Sequence, residues 1–312
     1  MTDADQALAA LLRYLDEIGY RFVTATPASH ARVLARDRLR TGSTPAEVLG
    51  WSLPFARGRI DQAIEALLAN AGAIEETVDG LLRATLRVST VEGRLFLHSA
   101  YPTSAADSVF LGPDTYRFAR LIRSELTAQP ISAGQVVVDI GTGSGAGAVV
   151  AADLCPAGKF VMTDLNPRAL RLAAINARHA GHRIEARAGR NLAGLEGGID
   201  VALANPPYVI DPARRAYRDG GGMHGAALSV EMAEAALAAL RPGGRLILYT
   251  GSAVIGGDHE LQRVLDGLSR ARGMQLRFSE IDPDVFGEEL ENSDYREVDR
   301  IAVVSAIISR AE

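Results

Sequence analysis

The chain has 312 residues, enough for two domains or for one large domain with an appendage, and its 47% hydrophobic and 23% charged residues are those of an ordinary globular protein. No stretch approaches the roughly 18 apolar residues of a membrane span, the N-terminal MTDADQALAA lacks the basic lead of a secretory signal, and the single cysteine, Cys155, excludes an internal disulfide, so a cytoplasmic protein is expected. A net charge of −5 and a pI near 5.8 run against nucleic acid as a general partner, with one local exception: Arg32, Arg36, Arg38, Arg40, Arg57 and Arg59 face only Asp37 and Glu47 in their stretch of chain.

In chain order, residues 4–72 read as helices. ADQALAALLRYLDEIG and IDQAIEALLANAG carry apolar residues at helical spacing. Thr44 and Pro45 open a further helix at TPAEVLGW, where Glu47 completes a capping box. From about Leu81 the period changes to two, and LLRATLRVSTVEGRLFLHSA predicts two strands around a Glu92-Gly93 turn. Helices followed by a hairpin suit a small winged-helix-like module. Residues 101–125 form a connector and then a helix.

From residue 134 strands and helices alternate. QVVVDI, KFVMTD, RIEARAG, IDVALAN, RLILYTG, MQLRFSEI and RIAVVSAIIS are the strands. GAGAVVAADL, NPRALRLAAINARHA (Asn166 as cap, Pro167 first), GAALSVEMAEAALAAL and HELQRVLDGLSRAR are the helices, with an RPGG turn before RLILYTG. This alternation implies an α/β fold, a doubly wound, mostly parallel, seven-stranded Rossmann-like sheet that binds ligands at the carboxyl ends of its strands.

Two such ends carry chemistry. In VVVDIGTGSGAGA, Gly141, Gly143 and Gly145 let the backbone turn sharply and approach a ligand closely. Asp164 ends the next strand, where a carboxylate can accept both hydroxyls of a ribose, so the pair points to an adenosine-containing cofactor. Asp139, two residues before the first glycine, would repel a pyrophosphate but could hold an ammonium group. It therefore favours S-adenosylmethionine over NAD. No Gly-Lys-Ser/Thr follows the glycines, which excludes a P-loop. The second end is Asn205-Pro206-Pro207-Tyr208, where two consecutive residues without an N–H must stop the strand.

VVDIGTGSG, the acid in FVMTDLNP and NPPY together resemble class I S-adenosylmethionine-dependent methyltransferases, and more narrowly the branch holding the release-factor glutamine methyltransferases and the ribosomal-RNA guanine methyltransferases with a "small" methyltransferase domain. The resemblance covers about residues 105–255. It implies a methyltransferase domain over 131–312, a connector and helix over 101–130, and a partner-recognition domain over 1–100. The cofactor residues it implies are Asp139, Gly141, Thr142, Gly143, Gly145, Asp164, Leu165, Asn205 and, in place of an acid after the third strand, Asn191. The catalytic corner is Asn205, Pro206, Pro207 and Tyr208: the Asn205 side-chain oxygen and the Pro206 carbonyl accept the hydrogens of a planar NH2, and Tyr208 stacks on the planar group. GPDTYRFA matches the family's Arg-Pro-Glu/Asp-Thr-Glu element at Pro113, Asp114 and Thr115 and departs from it at Gly112 and Tyr116. Asp114, Thr115 and Tyr116 are therefore candidate residues on the substrate side. YRDGGGMHG (217–225) resembles the glycine-rich segment after the catalytic corner.

The expected activity is N-methylation of an amide or amino nitrogen in a macromolecule, a protein glutamine or an RNA base, with a small-molecule acceptor as an alternative. An NAD-dependent oxidoreductase leaves NPPY and Asp139 without roles, and a non-catalytic adaptor leaves the intact motifs unexplained. No metal is expected: His179 and His182 have no cysteine or acid cluster beside them in sequence and read as solvated. The Ser144 surroundings lack the glycines of a nucleophile elbow. The acidic stretch 282–299 is read as a lid or wall of the acceptor site.

Overall fold

The computed structural model describes residues 2–36, 40–189, 192, 195, 198–215 and 217–312. The N-terminal part contains helices α1 (Asp3–Glu17), α2 (Pro27–Leu34) and α3 (Gln62–Asn70). Leu8, Leu11, Leu12 and Leu15 of α1 share one core with Ile64 and Leu68 of α3, the i, i+3, i+4, i+7 stripe read from the sequence. At the Thr44 turn the capping box forms as expected: Glu47 N donates to Thr44 Oγ1 at 3.3 Å and Thr44 N to Glu47 Oε2 at 3.0 Å. The strands β1 (Ile74–Glu76) and β2 (Leu82–Ala84) pair with each other. A second hairpin joins β3 (Leu86–Val91) to β4 (Arg94–Ser99). Its turn residues Glu92 and Gly93 both have positive φ, 49° and 82°, which matches the right-handed twist of paired strands.

The larger part follows as α4 (Pro113–Ala128), β5 (Val136–Ile140), α5 (Ala146–Leu154), β6 (Lys159–Asp164), α6 (Pro167–His179), β7 (Glu185–Ala188), β8 (Ile199–Ala204), α7 (Ala227–Ala239), β9 (Leu240–Ile255), β10 (Asp258–His259), α8 (Glu260–Ala271), β11 (Met274–Asp282) and β12 (Arg300–Arg310). The sheet order is β11-β12-β9-β8-β5-β6-β7, with short β10 on β9. Of those seven strands only β12 runs against its neighbours, so the doubly wound, mostly parallel sheet is the one expected. The RPGG run is not a turn before the strand. It is a bulge inside β9, where pairing steps from Ile199–Leu240 to Val201–Arg245. A Cβ on Gly244 would lie 2.9–3.2 Å from three backbone oxygens, so only glycine fits that bend.

Alternating strand residues feed two faces. Val137, Val201 and Leu203 pack with α4 and α5 through Phe118, Ile122, Val149 and Val150. Val138, Ile140, Ala202 and Ala204 pack with α7 and α8 through Met232, Ala236, Leu261 and Leu265. Helix α6 serves two cores, with Ala173 and Ala177 toward the sheet and Ala169, Leu172 and Ile175 in the N-terminal core. His179 and His182, expected to be solvated, are not: His179 Nε2 lies 2.7 Å from Asp16 and His182 Nε2 2.7 Å from Asp153, and both side chains are largely buried. Helix ends and loop folds bring acids from 163 and 29 residues away, which spacing along the chain does not show.

A polar cluster sits inside the N-terminal part. Buried Arg87 donates from Nε to the Ser99 carbonyl at 3.0 Å, His98 Nε2 bonds Ser89 Oγ at 2.8 Å, and His30 Nε2 lies 2.9 Å from the Trp51 carbonyl. Burial, with the Arg87 charge adding, pushes His30 down to about 4 and His98 well below the usual imidazole range. Below the ordinary value of 6.5 the unfolded chain binds protons at these rings while the folded chain does not, so their contribution to stability falls as pH drops from 6.5 toward 4. Asp139, raised to about 6, acts in the opposite direction. The measurement that isolates the histidines is therefore a difference. In urea unfolding at pH 7 and pH 5, the stability gap between wild type and a His30→Gln/His98→Gln variant should narrow at the lower pH, and a constant gap would contradict it.

Candidate active site

The carboxyl ends of β5, β6 and β8 open into one cavity of about 830 Å³, which also admits the start of α4, residues 26–28 and the acidic loop after β11. The glycine turn forms its floor. Gly141, Gly143 and Gly145 have φ of 66°, 56° and 83°, a region other residues enter at a cost. At Gly145 a Cβ would also stand 3.0 Å from the Cβ of Ala173, so α6 can lie close against the turn.

Two carboxylates pin this turn. Asp139 is 2% exposed; its Oδ2 accepts from Thr142 Oγ1 at 2.6 Å and from Ala148 N at 3.0 Å. Burial, with the nearby Asp164 charge adding, pushes Asp139 up to about 6 against those two bonds. Asp164 accepts from Gly143 N at 2.9 Å on Oδ2 and from Asn166 N at 2.8 Å on Oδ1, and burial raises it as well. Each Asp164 oxygen retains a lone pair for a further donor. Leu165 beside it is 58% exposed and lines the cavity, an apolar surface for a planar ring.

At the end of β8 the sheet stops at Asn205, and Asn205, Pro206, Pro207 and Tyr208 all line the cavity. Glycines hold the corner in place. A Cβ on Gly225 would lie 2.3 Å from the Tyr208 carbonyl oxygen and one on Gly220 1.9 Å from the Gly225 oxygen, so the 217–225 segment is glycine-rich because backbone passes over backbone. A Cβ on Gly251 of β9 would lie 2.0 Å from the Tyr208 ring.

Residues 117–271 match the family model described as "Methyltransferase small domain". That region is a class I S-adenosylmethionine-dependent methyltransferase domain. A release factor glutamine methyltransferase from Koribacter versatilis is 31% identical over 156 residues, 46% of this chain and 56% of that protein. Another from Cereibacter sphaeroides is 33% identical over 193 residues, 54% of this chain and 66% of that protein. The chain thus spans between about half and two thirds of these curated relatives. Among solved structures, Trm5b from Pyrococcus abyssi matches with a TM-score of 0.50 at 15% identity, covering 93% of this chain and 79% of that one, a likeness of fold alone.

Within the methyltransferase domain one cavity is lined by Asp139, Gly141, Thr142, Gly143, Asp164, Leu165 and Asn205, all read from the sequence as cofactor residues. Gly145 sits at the N-terminus of α5 and acts through packing. Asn191 lies outside the described residues. Asp114 and Thr115 line the cavity: Asp114 Oδ1 accepts from Tyr249 at 2.8 Å with Arg117 at 3.6 Å, and Thr115 Oγ1 accepts from Gly112 N at 3.3 Å. Tyr116 faces elsewhere, its hydroxyl accepting from Thr24 N at 2.9 Å. Gly112 leaves room for the Phe110 ring, itself a cavity wall: a Cβ there would lie 2.5 Å from it. Tyr208 departs from the stacking platform expected: it is 6% exposed, laid on Gly251 with Phe286 meeting its ring edge-on.

Sequence reading missed three residues. Asn176, buried in α6, donates to the Ser144 carbonyl of the glycine turn at 2.9 Å and exchanges bonds with Leu97 of β4; a lone amide between Ile175 and Ala177 was its only signal. Tyr249 and Phe286 read as strand and loop hydrophobics, and only folding brings them to the cavity region.

An Asp139 that titrates near 6 fixes a pH dependence. Its ionised form attracts an ammonium and its protonated form does not, so S-adenosylmethionine affinity should fall as pH drops below about 6, by up to about tenfold per unit. Calorimetric titration at pH 7.5, 6.5 and 5.5 should show this for the wild type and a flatter, weaker profile for Asp139→Asn. A wild-type Kd flat across that range would remove Asp139 from the ammonium site.

Proposed function

We propose that this chain transfers a methyl group from S-adenosylmethionine to the carboxamide nitrogen of a protein glutamine. The observation that carries the reading is that one cavity holds both the Asp139–glycine turn–Asp164 cradle and the Asn205-Pro206 corner.

The cradle fits the cofactor. Asp164 offers free lone pairs for ribose hydroxyls, Leu165 an apolar face for the adenine, Asp139 a carboxylate for the ammonium, and the positive-φ glycines clear space for close approach. When bound, S-adenosylmethionine supplies an electrophilic methyl and a neutral thioether leaving group. The protein's part is positioning. An amide nitrogen is a poor nucleophile because its lone pair is delocalised. Asn205 Oδ1 and the Pro206 carbonyl accept its two N–H bonds, favour pyramidal nitrogen and aim the lone pair. With the cofactor bound, N–C bond formation would break the C–S bond with its electron pair left on sulfur, and the nitrogen held by Asn205 and Pro206 would release one proton to water. Proline stiffness matters because an ångström of misplacement is costly in a positioned transfer.

Charge supports a protein acceptor over a nucleic acid. On the acidic loop Asp282, Asp284 and Glu288 line the cavity, while Arg117 is paired with Asp282 at 2.8 Å and Arg218 with Glu289. A phosphate backbone would meet more carboxylate than free cation there. The names of the relatives, release factor glutamine methyltransferases, support the same acceptor. One observation favours an RNA base instead: Thr26, Pro27 and Ala28 line the cavity at the start of α2, whose exposed face carries Arg32, with Arg36 just beyond it.

The deciding experiment incubates the protein with methyl-tritiated S-adenosylmethionine and a purified bacterial peptide-chain release factor, then treats the product with protease or RNase. Label released by protease supports glutamine; an RNA acceptor requires label lost to RNase and binding that weakens steeply with salt. Asn205→Ala should lower kcat on the order of 10²–10³-fold, the size seen when one preorganised hydrogen-bonding group is lost, with cofactor affinity within threefold. Asp164→Ala should instead weaken the cofactor by about 10–100-fold, since it removes hydrogen bonds to a charged group. Cofactor loss in the first variant with transfer retained in the second would reverse these roles.

A further inference from the structure

We infer that Arg214 sets acceptor specificity by pairing with a carboxylate that the acceptor carries near its methylated nitrogen. The inference rests on the glutamine reading for the acceptor being a protein. It does not rest on that reading for the placement of the cation.

Three of the described arginines line the cavity, Arg117, Arg214 and Arg218. Two are engaged by the chain's own acids: Arg117 meets Asp282 at 2.8 Å and Asp114 at 3.6 Å, and Arg218 is paired with Glu289. Arg214 is exposed and bonds no side chain among the described residues. A guanidinium at a cavity wall with its donors uncommitted fits a planar oxyanion, which it can take with two parallel N–H bonds. Asp284 and Glu288 line the same cavity. A single carboxylate at Arg214 meets its countercharge at once, whereas a phosphodiester chain would carry a charge at every nucleotide past those acids.

The loop that carries Arg214 is braced so that neighbouring arginines take opposite roles. Past the Asn205 corner the chain leaves at Val209 and returns at Asp219, where the two residues bridge and Gly220 N donates to the Val209 carbonyl at 2.8 Å. Inside the loop, buried Asp211 accepts from Arg215 on both oxygens, Nε to Oδ2 and Nη2 to Oδ1, each at 2.7 Å, and from Arg215 N at 2.9 Å. The Arg215 guanidinium also lies 5.7 Å from the centre of the Tyr217 ring, whose hydroxyl donates to the Thr103 carbonyl at 2.6 Å. Arg215 is thereby committed to the scaffold. Arg214 N donates to the Asp211 carbonyl at 2.8 Å, closing a turn in which Arg214 stands at φ +50°, a conformation uncommon for a residue with a side chain. The cation and the Asn205-Pro206 corner thus stand at one cavity on one stretch of chain, and the brace holds the loop that carries the cation.

Steady-state methylation of a purified bacterial peptide-chain release factor tests the inference. Arg214→Ala and Arg214→Gly should each raise KM for the release factor about tenfold, the size of one lost charge-assisted hydrogen bond, with kcat changed less than threefold. The glycine variant is at ease at positive φ, so a matching rise in both variants separates lost charge from a disturbed backbone. Arg214→Lys, which keeps the charge without the planar fork, should recover part of the KM. Added salt should raise the wild-type KM more steeply than that of Arg214→Ala. An unchanged KM in both cation-less variants, or a salt dependence equal to wild type, overturns the inference. The cofactor carries a carboxylate of its own, so its share is measured separately: the ratio of affinities for S-adenosylmethionine and its decarboxylated form should be the same in wild type and Arg214→Ala. A ratio that collapses in the variant assigns Arg214 to the cofactor and overturns the inference. If the wild type methylates no release factor, the glutamine reading has failed, and the cation is tested by binding alone. The arginine Nε–H resonances of the S-adenosylhomocysteine complex are then followed by NMR as succinate or succinamide is added. A shift of the Arg214 resonance, assigned by its loss in Arg214→Lys, with succinate and not with succinamide supports the inference. No shift, or an equal shift with both, overturns it.

Discussion

The site depends on how the end of a buried parallel strand satisfies its backbone. At the carboxyl ends of β5 and β6 the chain must turn where polar N–H groups face an apolar sheet, and an unpaired donor there would cost about as much as a lost hydrogen bond. Asp139 and Asp164 remove that cost by accepting from Thr142, Ala148, Gly143 and Asn166. The same bonds shape the turn into a cradle. The carboxylates therefore act twice: they make the glycine turn foldable, and they set two acids at the cavity, where burial raises both and the Asp164 charge adds to the rise of Asp139.

The second end, at Asn205, is built by exclusion. Pro206 and Pro207 cannot extend the sheet, and the chain must turn away from it. What keeps the corner from moving is the lack of side chains around it. Gly220, Gly225 and Gly251 let backbone and ring approach to distances at which any Cβ would collide. A corner tightened in this way has little freedom, the condition for holding a weak nucleophile at one angle. It also packs Tyr208, 6% exposed, close against Gly251 of β9 while the residue still borders the cavity.

Much of this was legible in the sequence because the signals are periodic or local. Alternation of strand and helix gave the sheet, period two gave the hairpin at Glu92-Gly93, and the order of glycine turn, acid and Asn-Pro-Pro-Tyr gave the cavity. Contacts between distant residues did not show. Asp114 and Tyr249 are 135 positions apart, and Tyr208 meets Gly251 across the sheet. An apolar period tells which face a residue takes; it does not tell what lies opposite. For that reason Tyr208 reads as a free aromatic and His179 as a solvated one until the fold supplies Gly251 and Asp16. The RPGG run misleads for a related reason, since Pro and Gly punctuate a turn and a bulge alike.

The N-terminal part is tied to the cavity through the element that departs most from the family pattern. Where a glutamate is usual, Tyr116 points away from the cavity and accepts from Thr24 N, while Thr24 Oγ1 lies 2.5 Å from Ser89, which in turn bonds His98. Asp114, Thr115 and Arg117, on the same first turns of α4, face the cavity. Successive residues of one helix point about 100° apart, so a helix held on one side by Thr24 has its other side fixed as well. From the opposite direction, Asn176 joins β4 to the Ser144 carbonyl of the glycine turn. The hairpin β3–β4 thus reaches the cavity walls from two directions, through Ser89 and Thr24 to α4 and through Leu97 and Asn176 to the glycine turn. Exchanging Tyr116 for an acid would place a carboxylate against the Thr24 and Ser89 hydroxyls, close to Arg87, whose pKa burial pushes down to about 10. The tyrosine instead completes this buried network with a neutral hydroxyl that accepts from Thr24 N.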